Sequence, residues 1–118
     1  MRAKDAIGRY GEDVAVRHLH DAGLQVLDRN WRCPRGELDI VAMDGSTLVF
    51  CEVKTRSGVE FGTPAEAVGP AKARRIRGLA CEWLLANRPP YAELRFDVLS
   101  VLRQRRGAAT VEHLRAAF

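Results

Sequence analysis

The feature that most constrains this chain is a pair of apolar, β-prone stretches joined by Asp44-Gly45. The first runs from Glu37 to Met43 and the second from Thr47 to Thr55. An Asp-Gly pair between two such stretches is a strong signal for a tight β-hairpin, because the turn needs residues that tolerate positive φ. A third β-prone stretch, Leu24 to Trp31, comes before them. The sequence therefore predicts three consecutive strands.

A helix is predicted on each side of these strands. Between Asp5 and Ala22 the apolar residues recur at helical spacing, and Gly8 and Gly11 lie on or near the same face. Glycines there weaken the helix but allow it to approach a neighbouring element closely. The second helix is predicted from Pro70 to Ala86 or Asn87, since proline suits a first helical position and two further prolines follow the end.

The rest of the chain predicts a fourth strand from Leu94 to Leu102 and a short terminal element, Thr110 to Phe118, whose type stays open. The predicted order is αβββαβ. A strand–helix–strand step implies a parallel pairing through a right-handed crossover. We therefore expect an α/β fold in which a mixed sheet is flanked by helices.

Length and composition narrow the class of protein. A chain of 118 residues suits one domain, predicted over residues 1–118. No stretch approaches the roughly 18 apolar residues of a membrane helix. The three cysteines are widely spaced, which favours neither a disulfide framework nor a zinc site. We expect a cytoplasmic protein with no membrane partner, and its net charge of +4 favours polyanions.

The strongest candidate for chemistry is a group of charged residues on the predicted hairpin. Glu52 and Lys54 stand two apart on one strand, so their side chains share a face. Asp39 lies on the paired strand and meets Glu52 in one plausible register. Two carboxylates about 4 Å apart repel by roughly 4 kcal/mol at an effective dielectric near 20, so they need a cation or a proton between them. Mg²⁺ or Mn²⁺ with open positions for a phosphodiester fits this donor set.

Two further acids are candidates for the same site. Glu12 falls at the edge of the apolar face of the first helix, where a side chain can border the core and still reach a site. It is the candidate third metal ligand. Glu37 shares strand parity with Asp39, so it either lies nearby or caps the strand in solvent.

At this point the sequence resembles known proteins. The hairpin looks like the PD-(D/E)-x-K nuclease signature, and the chain more closely resembles the uncharacterised YraN family of bacteria. The matching segments are Gly11-Glu12, Asn30-x-Arg32, Gly36 to Asp39, Phe50 to Arg56, Phe61-Gly62-x-Pro64-x-Glu66-Ala67, and Arg95 to Val98. The likeness therefore extends over nearly the whole chain.

The resemblance implies a restriction-endonuclease-like fold related to archaeal Holliday junction resolvases. It also implies that Glu12, Asp39, Glu52 and Lys54 match the catalytic pattern of such resolvases, with pairing into a homodimer as one alternative. Leu38 precedes Asp39 where the motif's name has a proline. That departure makes the short motif less specific but removes no ligand.

Basic residues around the predicted site suggest where a nucleic-acid backbone would bind. Arg32 and Arg56 flank the strands that carry the acids, and Lys72 is in helical register with apolar residues, so it should point towards the sheet. Ordinary solvated surface charge explains these cations almost as well. The histidines His18, His20 and His113 show no metal-ligand spacing with the cysteines, and no role is assigned to them.

Three hypotheses follow. The first is a Mg²⁺- or Mn²⁺-dependent endonuclease on DNA, with branched structures among its candidate substrates: Asp39 and Glu52 bind the metal, Glu12 assists, and Lys54 orients the attacking water. The second is a nucleic-acid-binding module that kept the fold without useful turnover. The third is a protein-interaction scaffold whose basic surface is incidental, and it would show no salt-dependent DNA binding.

Overall fold

The computed structural model describes residues 6–57 and 68–118. The predicted helix start at Asp5 and the segment from Phe61 to Ala67 lie outside them. The elements, in chain order, are α1 (Ala6–Asp21), β1 (Gln25–Cys33), β2 (Gly36–Asp44), β3 (Thr47–Ser57), α2 (Pro70–Asn87), β4 (Glu93–Arg103) and β5 (Thr110–Leu114). None of the helices in this described part is long and apolar enough to cross a membrane.

The strands form one sheet in the order β1-β2-β3-β4-β5. β3 and β4 are parallel, and the other neighbouring pairs are antiparallel. The chain between β3 and β4 contains α2. The predicted α/β class and mixed sheet are therefore confirmed, and the architecture is consistent with a restriction-endonuclease-like core.

The predicted hairpin joins β2 to β3. Asp44 pairs with Thr47, which leaves Gly45 and Ser46 as a two-residue turn, and Gly45 has φ +62°. That value lies in the left-handed region, where glycine has no Cβ to clash with the backbone. The turn Gly45-Ser46, closed by the Asp44↔Thr47 pair, therefore sets the register of the central antiparallel pair.

α1 packs on one face of the sheet. Ala15 and Leu19 are buried against Ile40, Val49 and other apolar side chains of the central strands. Apolar side chains nearer the start of the helix are less covered than the helical pattern predicts: Ile7 is 38% and Tyr10 36% exposed.

The predicted close approach of α1 to a neighbouring element occurs at Gly11. A Cβ at this position would lie only 1.8 Å from the Oγ1 atom of Thr55 on β3. The absence of a side chain at Gly11 therefore lets the helix backbone come down onto the strand. This contact fixes the height of the following residue, Glu12, above the sheet.

α2 covers the opposite face of the sheet. Ile76, Leu79 and Trp83 pack against a second cluster that includes Phe50, with the Phe50 and Trp83 rings edge to face at 5.8 Å. The Trp83 indole N–H donates to Asp28 Oδ2 at 3.0 Å, which satisfies a polar group that the helix would otherwise bury. The packing fixes the start of α2 relative to β2 and β3.

The terminal element, whose type the sequence left open, is a strand. β5 pairs antiparallel with β4, from Leu102↔Thr110 to Val98↔Leu114. After it the chain returns across the sheet, where the Ala117 N–H donates to the Phe96 carbonyl at 2.7 Å. β1 likewise continues to Cys33, beyond the predicted end at Trp31, because its pairing with β2 extends to Cys33↔Gly36.

Candidate active site

A fork between β2 and β3 creates the candidate site. The ladder between these strands runs from Asp44↔Thr47 to Ile40↔Cys51, although β2 begins at Gly36 and β3 continues to Ser57. One more step in this register would place Asp39 opposite Glu52. There the Val53 N–H donates to the Asp39 Oδ2 atom at 2.9 Å. The Asp39 carboxylate therefore accepts a hydrogen bond from a strand N–H at the point where the β2–β3 ladder ends.

A cleft of about 620 Å³ lies at this fork, lined by parts of α1, β2, β3 and α2. Its carboxylates are Glu12, Glu37, Asp39 and Glu52, and its cations are Arg35, Lys54, Lys72 and Arg75. The four residues that match the resolvase pattern, Glu12, Asp39, Glu52 and Lys54, thus come from a helix and two strands to one cleft.

Glu12 is the most deeply buried carboxylate of the cleft, with 2% of its side chain exposed. Its Oε1 atom lies 3.8 Å from Arg29 Nη2, but Arg29 makes a shorter contact of 2.8 Å with Asp13. A buried carboxylate is costly unless positive charge or hydrogen bonds compensate for it. Glu12 therefore brings a buried carboxyl group to the cleft wall.

Glu52 forms a direct ion pair with Lys72. Glu52 Oε2 lies 2.8 Å from the Lys72 Nζ atom, and the two side chains are 12% and 38% exposed. Lys72 occupies the third position of α2 and points towards the sheet, as its helical register indicated. The N-terminus of α2 thus delivers a cation to a carboxylate of β3.

Lys54 is exposed on the cleft wall, two residues beyond Glu52 on β3. Within residues 6–57 and 68–118 no ion pair involves Lys54, and its exposed side chain lines the cleft. Glu37, also on the wall, lies 3.4 Å from Arg32 Nε through its Oε1 atom. The described lining does not include Arg32 or Arg56, so these two cations flank the cleft outside its wall.

The three carboxylates expected to hold a metal share the cleft but do not converge on one point. Across residues 6–57 and 68–118, no group of three His, Cys, Asp or Glu side chains is close enough to hold a metal ion. Two of the three are held by other partners: Glu52 pairs with Lys72, and Asp39 accepts the Val53 N–H through its Oδ2 atom. The donors are nevertheless hard oxygens, the type that Mg²⁺ and Mn²⁺ prefer. Their chemistry therefore fits such an ion, and a metal that ligates Glu52 would have to displace Lys72.

The structure also reveals a buried polar cluster for which the sequence predicted no role. Asp97 on β4 is fully buried and accepts hydrogen bonds from Arg95 Nε at 2.9 Å, Arg95 Nη2 at 3.0 Å and the Ala116 N–H at 3.0 Å. His113 Nε2 lies 2.8 Å from the Asp97 Oδ2 atom. The signal available in the sequence was the i, i+2 pair Arg95 and Asp97, opposite charges on one strand face.

The hydrogen bonds of this cluster determine the acidity of Asp97. Burial alone would raise the pKa of Asp97, but the hydrogen bonds with His113, Arg95 and the Ala116 N–H together outweigh it and lower the pKa. The carboxylate is therefore held in its charged form, and it ties β5 and the C-terminal residues to β4. This cluster supports the fold.

The fold and the cleft define a class of protein: an α/β domain with a restriction-endonuclease-like core and acidic and basic residues gathered at a strand fork. The chain belongs to the uncharacterised protein family UPF0102, whose family model matches residues 11–101. It is 59% identical to a UPF0102 protein of Frankia casuarinae over the full length of both chains. It is 62% identical to one of Beutenbergia cavernae, with 98% of each chain covered. These matches confirm the resemblance to the YraN family.

Proposed function

We propose that this protein is a cytoplasmic, Mg²⁺- or Mn²⁺-dependent endonuclease that hydrolyses phosphodiester bonds in DNA. The observation that carries the proposal is the gathering of Glu12, Asp39, Glu52 and Lys54 in one open cleft. A protein that only binds a polyanion gains nothing from carboxylates that face it, because like charges repel. Acids in a cleft that also holds four cations are better explained by chemistry at a phosphate.

Each residue of the cleft has a distinct role in this proposal. Glu12, Asp39 and Glu52 supply oxygen ligands, and a bound divalent metal would supply Lewis-acid polarisation and an activated water. Lys54 presents its exposed ammonium to the scissile phosphate and orients the attacking water. Asp39 is positioned by the Val53 N–H, which donates to its Oδ2 atom at the mouth of the β2–β3 fork.

The surrounding cations would bind the DNA backbone. Lys72 and Arg75 line the cleft on the α2 side, next to the first turn of a helix that has no acidic residue there and no side-chain cap. Unsatisfied backbone N–H groups at such a terminus favour negatively charged groups. Arg32 and Arg56 extend the positive surface beyond the cleft wall and are assigned to more distant phosphates.

A second candidate function is a nucleic-acid-binding module without turnover. The observation in its favour is the ion pair between Lys72 and Glu52, which leaves the cleft carboxylates apart. If that pair persists when DNA binds, the cleft holds phosphate without assembling a metal site. The two functions differ in one measurable respect: only the endonuclease cleaves DNA, and it needs a divalent ion to do so.

The test is cleavage of labelled four-way junction, flap, duplex and single-stranded DNA with Mg²⁺, Mn²⁺ or EDTA. We expect Glu52→Ala and Lys54→Ala each to lower the rate by at least about a hundredfold, as removal of a group that stabilises transition-state charge does. Glu93→Ala is the matched control, because Glu93 is exposed and pairs with Thr47 at the far end of β3 from the cleft.

The pattern of results separates the candidates. Cleavage that survives EDTA, or that both cleft variants retain, contradicts the proposed site. DNA that is retained at low salt and released at high salt, but never cut, supports the binding module, because counterion release makes phosphate contacts salt-dependent. A strong preference for the junction or flap substrate would support selectivity for branched DNA, and gel filtration with bound junction would reveal a homodimer.

A further inference from the structure

The ion pair between Lys72 and Glu52 has a consequence for how the cleft is loaded, given the proposed function. We propose that Lys72 is a tethered counter-ion: its ammonium holds the Glu52 carboxylate while no divalent metal is bound and passes to a DNA phosphate when a metal takes its place. In this view the protein's own cation substitutes for the metal in the resting state, and metal and DNA binding are coupled through one side chain.

The charge distribution explains why a resident cation is needed. Glu52 is only 12% exposed and shares the cleft with Asp39 and with Glu12, which is 2% exposed. Carboxylates removed from water and placed near one another require a counter-charge. Lys72 Nζ, at 2.8 Å from Glu52 Oε2, provides it. Lys54, two residues along the strand, is exposed and is not paired with Glu52.

The position of Lys72 allows the exchange. It lies in the first turn of α2, directly after Pro70 and Ala71, so its backbone is fixed by the helix. Its side chain is 38% exposed and has a long flexible stem, so the ammonium can leave Glu52 without moving the helix. Because the stem is anchored to the helix backbone, the released ammonium stays in the cleft, whose lining on the α2 side also includes Arg75.

Two thermodynamic consequences follow. A metal ion that ligates Glu52 must first break the ion pair, so Lys72 lowers the affinity of the DNA-free protein for metal. Once the metal has bound, the freed ammonium raises the affinity for DNA, and by linkage DNA raises the affinity for metal by the same factor. The wild-type protein should therefore bind metal and DNA cooperatively, and removal of the ammonium should weaken that cooperativity.

The experiment is Mn²⁺ binding by the full chain without DNA, measured by calorimetry for wild type, Lys72→Met and Arg75→Met. We expect Lys72→Met to bind Mn²⁺ about three- to tenfold more tightly, as release of one partly buried ion pair would allow. Arg75→Met is the matched control because it removes one positive charge from the same wall and the same helix without an ion pair to Glu52. The Mn²⁺ affinity of Arg75→Met should rise by a smaller factor than that of Lys72→Met.

A second measurement isolates the transfer to phosphate. Binding of a short duplex DNA is compared with and without Ca²⁺, and we expect Ca²⁺ to increase the DNA affinity of wild type more than that of Lys72→Met. Equal Mn²⁺ affinity in wild type and Lys72→Met, or equal gains in both methionine variants, would overturn the inference while leaving cleavage by wild type intact. Absence of Mn²⁺ binding in every variant would overturn both this inference and the proposed function. If Lys72→Met binds Mn²⁺ more tightly than wild type but neither protein cuts DNA, the counter-ion role of Lys72 is supported and the proposed endonuclease function is contradicted.

Discussion

Replacing Gly11 by alanine tests whether the close approach of α1 to β3 positions the site. The added Cβ would lie 1.8 Å from Thr55 Oγ1, 2.9 Å from its Cβ and 3.0 Å from its Cγ2, whereas ordinary contact begins near 3.4 Å. The gap to Oγ1 must therefore open by about 1.6 Å. Rotation of Thr55 cannot provide this, because its Cβ is also too close and does not move when the side chain rotates. The helix itself has to rise from the strand.

The magnitude follows from two opposed effects. Inserting a methyl group into a tight contact costs typically about 1–3 kcal/mol, while alanine in a helix interior gains about 1 kcal/mol over glycine. The difference is about 0–2 kcal/mol, and because three atoms of Thr55 lie within 3.0 Å of the added Cβ, we expect Gly11→Ala to lower the free energy of unfolding by about 1–2 kcal/mol, in the upper half of that range. Cleavage should suffer more than stability, since Glu12 is the next residue and a shift of about 1 Å at a catalytic group can cost about a hundredfold in rate.

Urea denaturation and the DNA cleavage assay measure the two effects. Gly78→Ala is the control, because Gly78 lies inside α2 and, apart from the backbone of its own helix and its chain neighbours, no atom of the described residues comes within 4 Å of its added Cβ; this change should stabilise the protein by about 0.5–1 kcal/mol. Combining Gly11→Ala with Thr55→Gly removes all three clashing atoms and should show a favourable coupling of about 1–2 kcal/mol in a double-mutant cycle. A Gly11→Ala protein as stable and as active as wild type would refute the reasoning.

Two further predictions concern buried groups away from the cleft. Asp97→Asn should lower the free energy of unfolding by about 3 kcal/mol, because it removes the buried charge that pairs with Arg95 and leaves that half-buried guanidinium with Asp44 alone. Since the folded pKa of Asp97 lies below its unfolded value near 3.9, this contribution is complete above about pH 4 and is lost as pH falls through the folded pKa. Urea titrations of wild type and Asp97→Asn should therefore converge at low pH, and a constant difference would contradict the assignment. Burial raises the pKa of the Cys51 thiol, whereas Cys81 is exposed. A thiol reagent at neutral pH should therefore label Cys81 in the native protein and reach Cys51 only after unfolding. Equal labelling rates for the two cysteines would be inconsistent with this packing.

The sequence predicts most of the fold because its local signals agree with one another. Asp44-Gly45 determines the hairpin, and the hairpin register then follows from a two-residue turn. The parallel pair of β3 and β4 follows from the helix between them, since the chain must cross over to return in the same direction. The type of the terminal segment could not be predicted, because β5 is only five residues long and is stabilised by pairing with β4 rather than by its own pattern.

Local sequence signals also predict which residues form the candidate site, but they do not predict which of those residues pair with one another. Strand parity indicates that Glu52 and Lys54 share a face, and the hairpin brings Asp39 to Glu52. No local signal indicates that Glu52 is held by Lys72, because that contact depends on how α2 packs across the sheet, which Phe50 and Trp83 determine.

The separation of the strands at Asp39 is also a tertiary property. Strand alternation assumes a continuous ladder, but β2 and β3 part after Ile40↔Cys51, and the carboxylate of Asp39 receives the Val53 N–H that a ladder carbonyl would otherwise accept. The same side chain thus closes the end of the β2–β3 ladder and lines the cleft. A residue with both roles cannot be assigned to structure or to chemistry from its position alone, because a change at Asp39 alters a backbone hydrogen bond and the charge of the cleft together. For this reason Glu52, whose carboxylate accepts no strand N–H among the described residues, and Lys54, whose ammonium can only donate, are the cleaner positions at which to test the chemistry.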